Sequence, residues 1–298
     1  MKVGLIDIDG KIPNLALMKI SASHKNKGDE VDLCGPLFAD QYDKVYASKI
    51  FRFSETPKLP DGTIIGGSGY DLSSHLPEEM ENQFPDYSLY GCDYAIGFTS
   101  RGCNRRCPFC IVPEKEGRFQ AIGDIYDFWN GQPRLMLLDN SLNTDEDHFE
   151  KIVCQMIKNG IKIDFSQGLD IRYINDRQAK LLSQVRLWKY MHFAWDWISI
   201  EKDVIAGISV LLKYIYPKNI TLYVLIGYNT TPKEDLHRVM TLKQFGVNPF
   251  VMPFNRDDPY QKQFARWVNR PWIFKSVLWD EYSSNYKHQE DDERTLTL

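Results

Sequence analysis

Tyr94-Ala95-Ile96-Gly97-Phe98-Thr99-Ser100-Arg101-Gly102-Cys103-Asn104-Arg105-Arg106-Cys107-Pro108-Phe109-Cys110 is the stretch that decides the fold. It opens as a short apolar run, which reads as a buried strand, and passes directly into three cysteines spaced CxxxCxxC. Three thiolates so close together can hold three irons of a cubic 4Fe-4S cluster. Because the usual complement is four cysteines, the fourth iron is left open to a substrate or cofactor. A structural zinc site would need a further pair of ligands nearby, yet no Cys or His lies between Cys110 and His148. The six cysteines show no disulfide framework either.

Outward from this stretch the chain has a countable strand–helix rhythm. Strand candidates are 94–98, 134–138, 161–165, 190–194, 221–226 and 248–252. Helices fit between them: 145–159 has acidic residues early, apolar residues at helical spacing and Gly160 at its end, and 175–184 and 232–245 read similarly. Six βα units make an incomplete version of the eightfold barrel, whose active residues sit at strand C-terminal ends, and the cysteine loop follows its strand at such a position. Ahead of them, strands at 3–9, 30–34 and 44–47 with a helix at 14–26 and Gly28 behind it make a βαβ start and a parallel sheet. The expected fold is α/β: a small Rossmann-like domain over 1–90, a partial (β/α)6 barrel with closing helices over 91–285, and an acidic tail over 286–298.

The CxxxCxxC loop, with Phe109 just before its last cysteine, resembles that of the radical S-adenosylmethionine (radical SAM) superfamily. The order of a Rossmann-like domain before it is similar to the B12-binding class and, more loosely, to the methylthiotransferases. Asn14-Leu15-Ala16-Leu17, Gly28-Asp29-Glu30-Val31 and the stretch Gly66-Gly67-Ser68-Gly69-Tyr70 carry that likeness. The resemblance implies that Cys103, Cys107 and Cys110 bind a 4Fe-4S cluster and that SAM chelates its open iron. Reduction then splits SAM to a 5'-deoxyadenosyl radical, which abstracts hydrogen from a substrate. Cobalamin is an option within the resemblance, although residues 1–90 lack the Asp-x-His-x-x-Gly motif of the base-off class, His24 and His75 both standing outside it. A methylthiotransferase would want a second cluster on three N-terminal cysteines, and residues 1–92 supply only Cys34 and Cys92.

Strand ends give the SAM-binding candidates that the resemblance implies. Besides Phe109 these are Asp139 and Asn140 after the second barrel strand, Gln167, Asp170 and Arg172 after the third, and Gly227 after the fifth. Some of them, and the glycines of the Gly66–Tyr70 stretch, have plainer alternatives. Asn140-Ser141 can start a turn that leads to a helix cap, Arg172 can pair with Asp170 or Asp176, and glycines often serve turns. Asp196 ends the fourth strand beside Trp195, which reads as core. The basic and aromatic stretch 264–274 suits either a helix closing the barrel or a surface that stacks bases and binds phosphates.

A chain of 298 residues, 43% hydrophobic and with net charge −4, can bury a sizeable core and is not a globally basic nucleic-acid binder. No run of about 18 apolar residues appears, so a soluble protein in the reducing cytoplasm is expected. A radical SAM enzyme would also need a flavodoxin- or ferredoxin-like electron donor. The alternative is a non-catalytic iron–sulfur protein used for electron transfer, redox sensing or structural support, in which a nucleic-acid partner stays open. Neither the substrate nor the choice among methyl, methylthio and other transfers is encoded in these motifs.

Overall fold

The computed structural model describes residues 1–283; the tail expected over 286–298 lies outside the described residues. The chain divides into two compact units, Met1–Gln167 and a second beginning at Gly168.

The first unit opens with β1 (Lys2–Asp7), α1 (Leu15–Asn26), β2 (Glu30–Leu33), β3 (Lys44–Ser48) and β4 (Ile64–Gly66), paired in the order β2-β1-β3-β4. All these pairings are parallel. Asn14 starts α1 by accepting from the amides of Ala16 and Leu17, as an N-cap side chain does. Successive residues of β1 point to opposite faces. Val3 and Leu5 pack with Leu17, Ile20, Val31, Tyr46 and Met80, while Ile6 packs with Ala39, Val45 and Ala47. A parallel sheet covered on both faces follows, and each fully buried Val, Leu or Ile contributes roughly 1.5–3 kcal/mol. β4 is the strand the sequence did not show, since three residues beside a glycine-rich turn carry no readable period.

Beyond α2 (Glu78–Glu81), the same unit contains β5 (Tyr94–Gly97), β6 (Ser100–Arg101), α3 (Val112–Lys115), β7 (Gln120–Ala121), β8 (Arg134–Leu137), α4 (Glu146–Lys158) and β9 (Lys162–Phe165). β8 pairs in parallel with both β5 and β9. β6 and β7 form a two-residue antiparallel ribbon at the neck of the cysteine loop. Asp145 caps α4 through the His148 amide, and the α4 residues Phe149, Ile152, Val153 and Met156 are buried.

The second unit contains α5 (Asp176–Leu182), β10 (Arg186–Leu187), β11 (Met191–Ala194), α6 (Glu201–Leu211), β12 (Ile220–Ile226), α7 (Pro232–Gln244), β13 (Asn248–Pro253), α8 (Pro259–Val268) and α9 (Pro271–Ser276). β11, β12 and β13 pair in parallel in that order. α7 starts on a Thr231–Glu234 capping box. The prolines of β13 suit an outer strand: Pro249 and Pro253 have no N–H, and Val251 between them is sealed by the Asn269 amide, which accepts from its N–H at 2.7 Å and donates to its carbonyl at 2.9 Å. For 264–274 burial supports the closing-helix option, because Phe264, Trp267 and Phe274 lie in the core and Trp279 packs on Phe264 with ring centroids 4.9 Å apart.

The chain is thus α/β with parallel sheets, and all six strand candidates of residues 94–252 are strands. Among the described residues no sheet closes into a barrel, and no helix is long and apolar enough to cross a membrane.

Candidate metal centre

Cys103, Cys107 and Cys110 share one loop between β6 and β7. All six cysteines of the chain are thiols outside any disulfide. Cys103 and Cys107 are half-buried and Cys110 is exposed, so this donor set is open to an incoming ion. The loop carries the three soft ligands that suit iron–sulfur chemistry, although among the described residues no three or more His, Cys, Asp or Glu side chains are gathered closely enough to hold a metal ion. One sulfur already has a donor, for the Arg105 amide donates to Cys103 Sγ at 3.4 Å.

Both ends of the loop are tied down. At its neck the Ile122 amide donates to the Thr99 carbonyl at 2.9 Å and the Cys103 amide to the Gly117 carbonyl at 3.1 Å. Gly102 turns between them with φ +75°, and a Cβ there would stand 2.2 Å from the Arg118 carbonyl oxygen, so only glycine fits.

Asp139, expected as a SAM contact, is buried and turned onto the entrance of the loop. Its carboxylate accepts from the hydroxyls of Thr99 at 2.7 Å and Ser100 at 2.6 Å, and from the Ser100 amide at 2.6 Å and the Thr99 amide at 3.1 Å. Burial pushes its pKa up, opposed by these same donors. With the Thr99 hydroxyl proton directed to Asp139, Nε2 of His148, 3.1 Å from that oxygen, acts as donor. Burial lowers the His148 pKa, which keeps the ring neutral for that task.

Asn140 is likewise engaged with the loop, donating from Nδ2 to Glu116 at 2.8 Å. Glu116 also accepts from the Gly102 amide at 2.9 Å and from Arg101 at 3.2 Å. Arg101 lies over the Phe98 ring, its guanidinium carbon 3.5 Å from the centroid. Glu116 escaped the sequence reading because its partners are 14 to 24 residues away and no local pattern marks such a contact. Phe109 is half-buried in the loop, and Gln167 is exposed just beyond β9.

Asp170, Arg172 and Gly227 belong to the second unit. Of the alternatives for Arg172, the structure shows the pair with Asp170: Nε and Nη2 each reach a carboxylate oxygen at 2.8 Å. Asp176 pairs instead with Lys213 at 3.1 Å. Gly227 takes φ +76°, and a Cβ there would lie 2.1 Å from the Gln261 amide nitrogen, so glycine fits on both counts.

The charged group that sequence reasoning missed in this unit is Arg238. It is fully buried and donates to the carbonyls of Trp195 at 2.8 Å, Asp196 at 3.0 Å and Leu225 at 2.9 Å, and to Asp235 at 2.6 Å. It thereby supplies donors to carbonyls at the ends of β11 and β12.

Beside it, burial pushes the Asp196 carboxyl up to about 6, against the pull of Arg238 and Arg172. The folded chain therefore keeps this proton up to about pH 6, while the unfolded chain releases it near pH 4. Stability is lost as pH rises through that window and stays lost above it. Asp196→Asn abolishes the loss, so relative to wild type it is expected to gain about 2 kcal/mol between pH 4.5 and 7.5. Urea unfolding followed by tryptophan fluorescence at the two pH values checks this, and an unchanged difference would refute it.

In an open parallel sheet a ligand sits outside the strand C-terminal ends, where the strand order reverses. There Asp7 accepts from the Gly10 amide at 2.9 Å and the Tyr90 hydroxyl at 2.7 Å, and Asp9 from the amides of Ile50 and Phe51 at 2.7 and 2.9 Å. His24 is buried in α1, its ring nitrogens 2.7 Å from Asp29 and 3.0 Å from the Tyr46 hydroxyl, and His75 is exposed between β4 and α2. These strand ends offer cobalt no imidazole, so the residues do not fit a histidine-ligated cobalamin.

No family model matches the chain. A solved structure similar to it is the radical S-adenosylmethionine methyltransferase TsrM from Kitasatospora setae, with cobalamin and a [4Fe-4S] cluster bound. The TM-score is 0.62 at 11% identity, over 85% of this chain and 74% of that one. A CDK5RAP1-like protein from Oryza sativa subsp. japonica is 27% identical over 143 residues, 45% of this chain; the match spans about a quarter (24%) of that relative's length. At 11% identity the structural likeness is one of fold.

Proposed function

We propose that the chain is a radical SAM enzyme in which Cys103, Cys107 and Cys110 hold a 4Fe-4S cluster. The observation that carries this is the loop itself: three thiols on one segment after a parallel strand, tied at its entrance by Asp139 and at its exit by Glu116. When bound, the cluster supplies the electron that cleaves SAM to methionine and a 5'-deoxyadenosyl radical able to take hydrogen from a substrate. The chain's own residues position and shield these groups. Asp139 fixes Thr99 and Ser100 at the loop entrance, and the Arg105 amide donates to Cys103 Sγ. Phe109, Gln167 and Gly227 stay candidates for SAM contacts. Asp139 and Asn140 become supports of the loop. Arg172 and Asp170 are kept as a pair, since Nε and Nη2 of the guanidinium are already on the Asp170 carboxylate.

The βα order carries the reading of a partial (β/α)6 barrel over 91–285 behind a Rossmann-like domain over 1–90. A flavodoxin- or ferredoxin-like donor in the cytoplasm would reduce the cluster. The test is spectroscopic: SAM added to the reconstituted, reduced protein is expected to change its cluster EPR signal. A loaded cluster indifferent to SAM would favour the non-catalytic iron–sulfur alternative.

A further inference from the structure

Glu116 stands at the exit of the cysteine loop, just after α3, with its side chain 13% exposed. One oxygen, Oε2, accepts both from the Gly102 amide at 2.9 Å and from Asn140 Nδ2 at 2.8 Å, while Oε1 faces Arg101 at 3.2 Å. Gly102 directly precedes the first cysteine and Asn140 follows β8. A single carboxylate thus joins the beginning of the loop to its end and both to a strand of the sheet. Charge-assisted bonds of this kind are about twice as strong as neutral ones.

We propose that Glu116 is a positioning residue for the cluster: with Asn140 it fixes the backbone at Cys103 before iron arrives and so sets how firmly the three thiols retain a cluster. The proposal rests on the cluster assignment above. Arg101 also reaches Glu81 at 3.4 Å, and Glu81 pairs with Lys19 at 2.8 Å, but Glu81 has no bond to Gly102 or Asn140. It therefore provides a control that removes a nearby carboxylate without opening the loop.

The test is the rate at which the reconstituted full-length chain releases iron to an excess of ferrous chelator. Groups that orient metal ligands typically cost 10- to 100-fold in metal affinity when removed. Glu116→Ala is expected to release iron about 10- to 100-fold faster than wild type, and Asn140→Ala to move in the same direction. The double variant should be no faster than Glu116→Ala, because both act through one contact. Glu81→Ala should match wild type. The EPR line shape of the reduced cluster should change in Glu116→Ala and not in Glu81→Ala, which a general loosening of the fold would not produce. Wild-type release rates in Glu116→Ala, additive effects in the double variant, or equal effects of Glu81→Ala would each overturn the role of Glu116 alone. A wild-type chain that assembles no cluster would overturn the cluster assignment, and this proposal with it.

Discussion

Cys107→Ala is expected to lose both its cluster and its SAM cleavage, with iron, sulfide and 5'-deoxyadenosine all at background. On the proposed assignment the loop would supply three ligands for three irons, and loss of the middle one would leave two for a cube that ordinarily takes four. Cys103→Ala and Cys110→Ala should behave alike. The remaining cysteines are no substitutes. Burial raises the pKa of Cys34, near the end of β2, and of Cys92, whose thiol points at the Tyr94 carbonyl, so both favour the thiol over the thiolate. Cys154 lies on α4, outside the loop. Cys34→Ala and Cys154→Ala are therefore expected to keep wild-type iron, and iron loss in the Cys34 variant would contradict the assignment.

Arg238→Ala is expected to destabilise the second unit by about 3–5 kcal/mol, because it leaves the fully buried Asp235 without its cation. Three strand-end carbonyls lose their donor in the same step. The Tyr260 hydroxyl, 3.1 Å from Asp235, keeps one bond to the orphaned carboxylate but cannot neutralise it. Removing both charges with Asp235→Leu and Arg238→Met should recover much of the loss, since an apolar pair of similar volume carries no desolvation cost. Urea unfolding of the two variants measures both quantities. A loss under about 1 kcal/mol in the single variant would show that the ion pair is not holding the strand ends.

Why the fold was legible and the site only partly so follows from the reach of each signal. Strand runs such as 221–226, the cap at Asn14 and the Thr231–Glu234 box act over a few residues, so their spacing survives in the sequence. The cysteine triplet is equally local. Asp139 and Asn140 follow β8, as the strand spacing indicates, yet which partners they meet depends on Thr99, Ser100 and Glu116, 24 to 40 residues earlier. Arg238 could not be recognised from its helix, where an arginine ordinarily faces water; the carbonyls it serves lie 13 to 43 residues away. Asp170 and Arg172, two residues apart, were near enough for their pairing to be weighed in advance, and the structure shows it.

Whether the three-cysteine loop serves SAM cleavage is decided by anaerobic reconstitution, reduction with dithionite and quantification of 5'-deoxyadenosine from SAM, with Cys107→Ala alongside. Cluster-dependent product is expected from the wild-type chain and none from the variant. A wild-type chain carrying a full 4Fe-4S cluster that releases no 5'-deoxyadenosine would contradict that role of the loop.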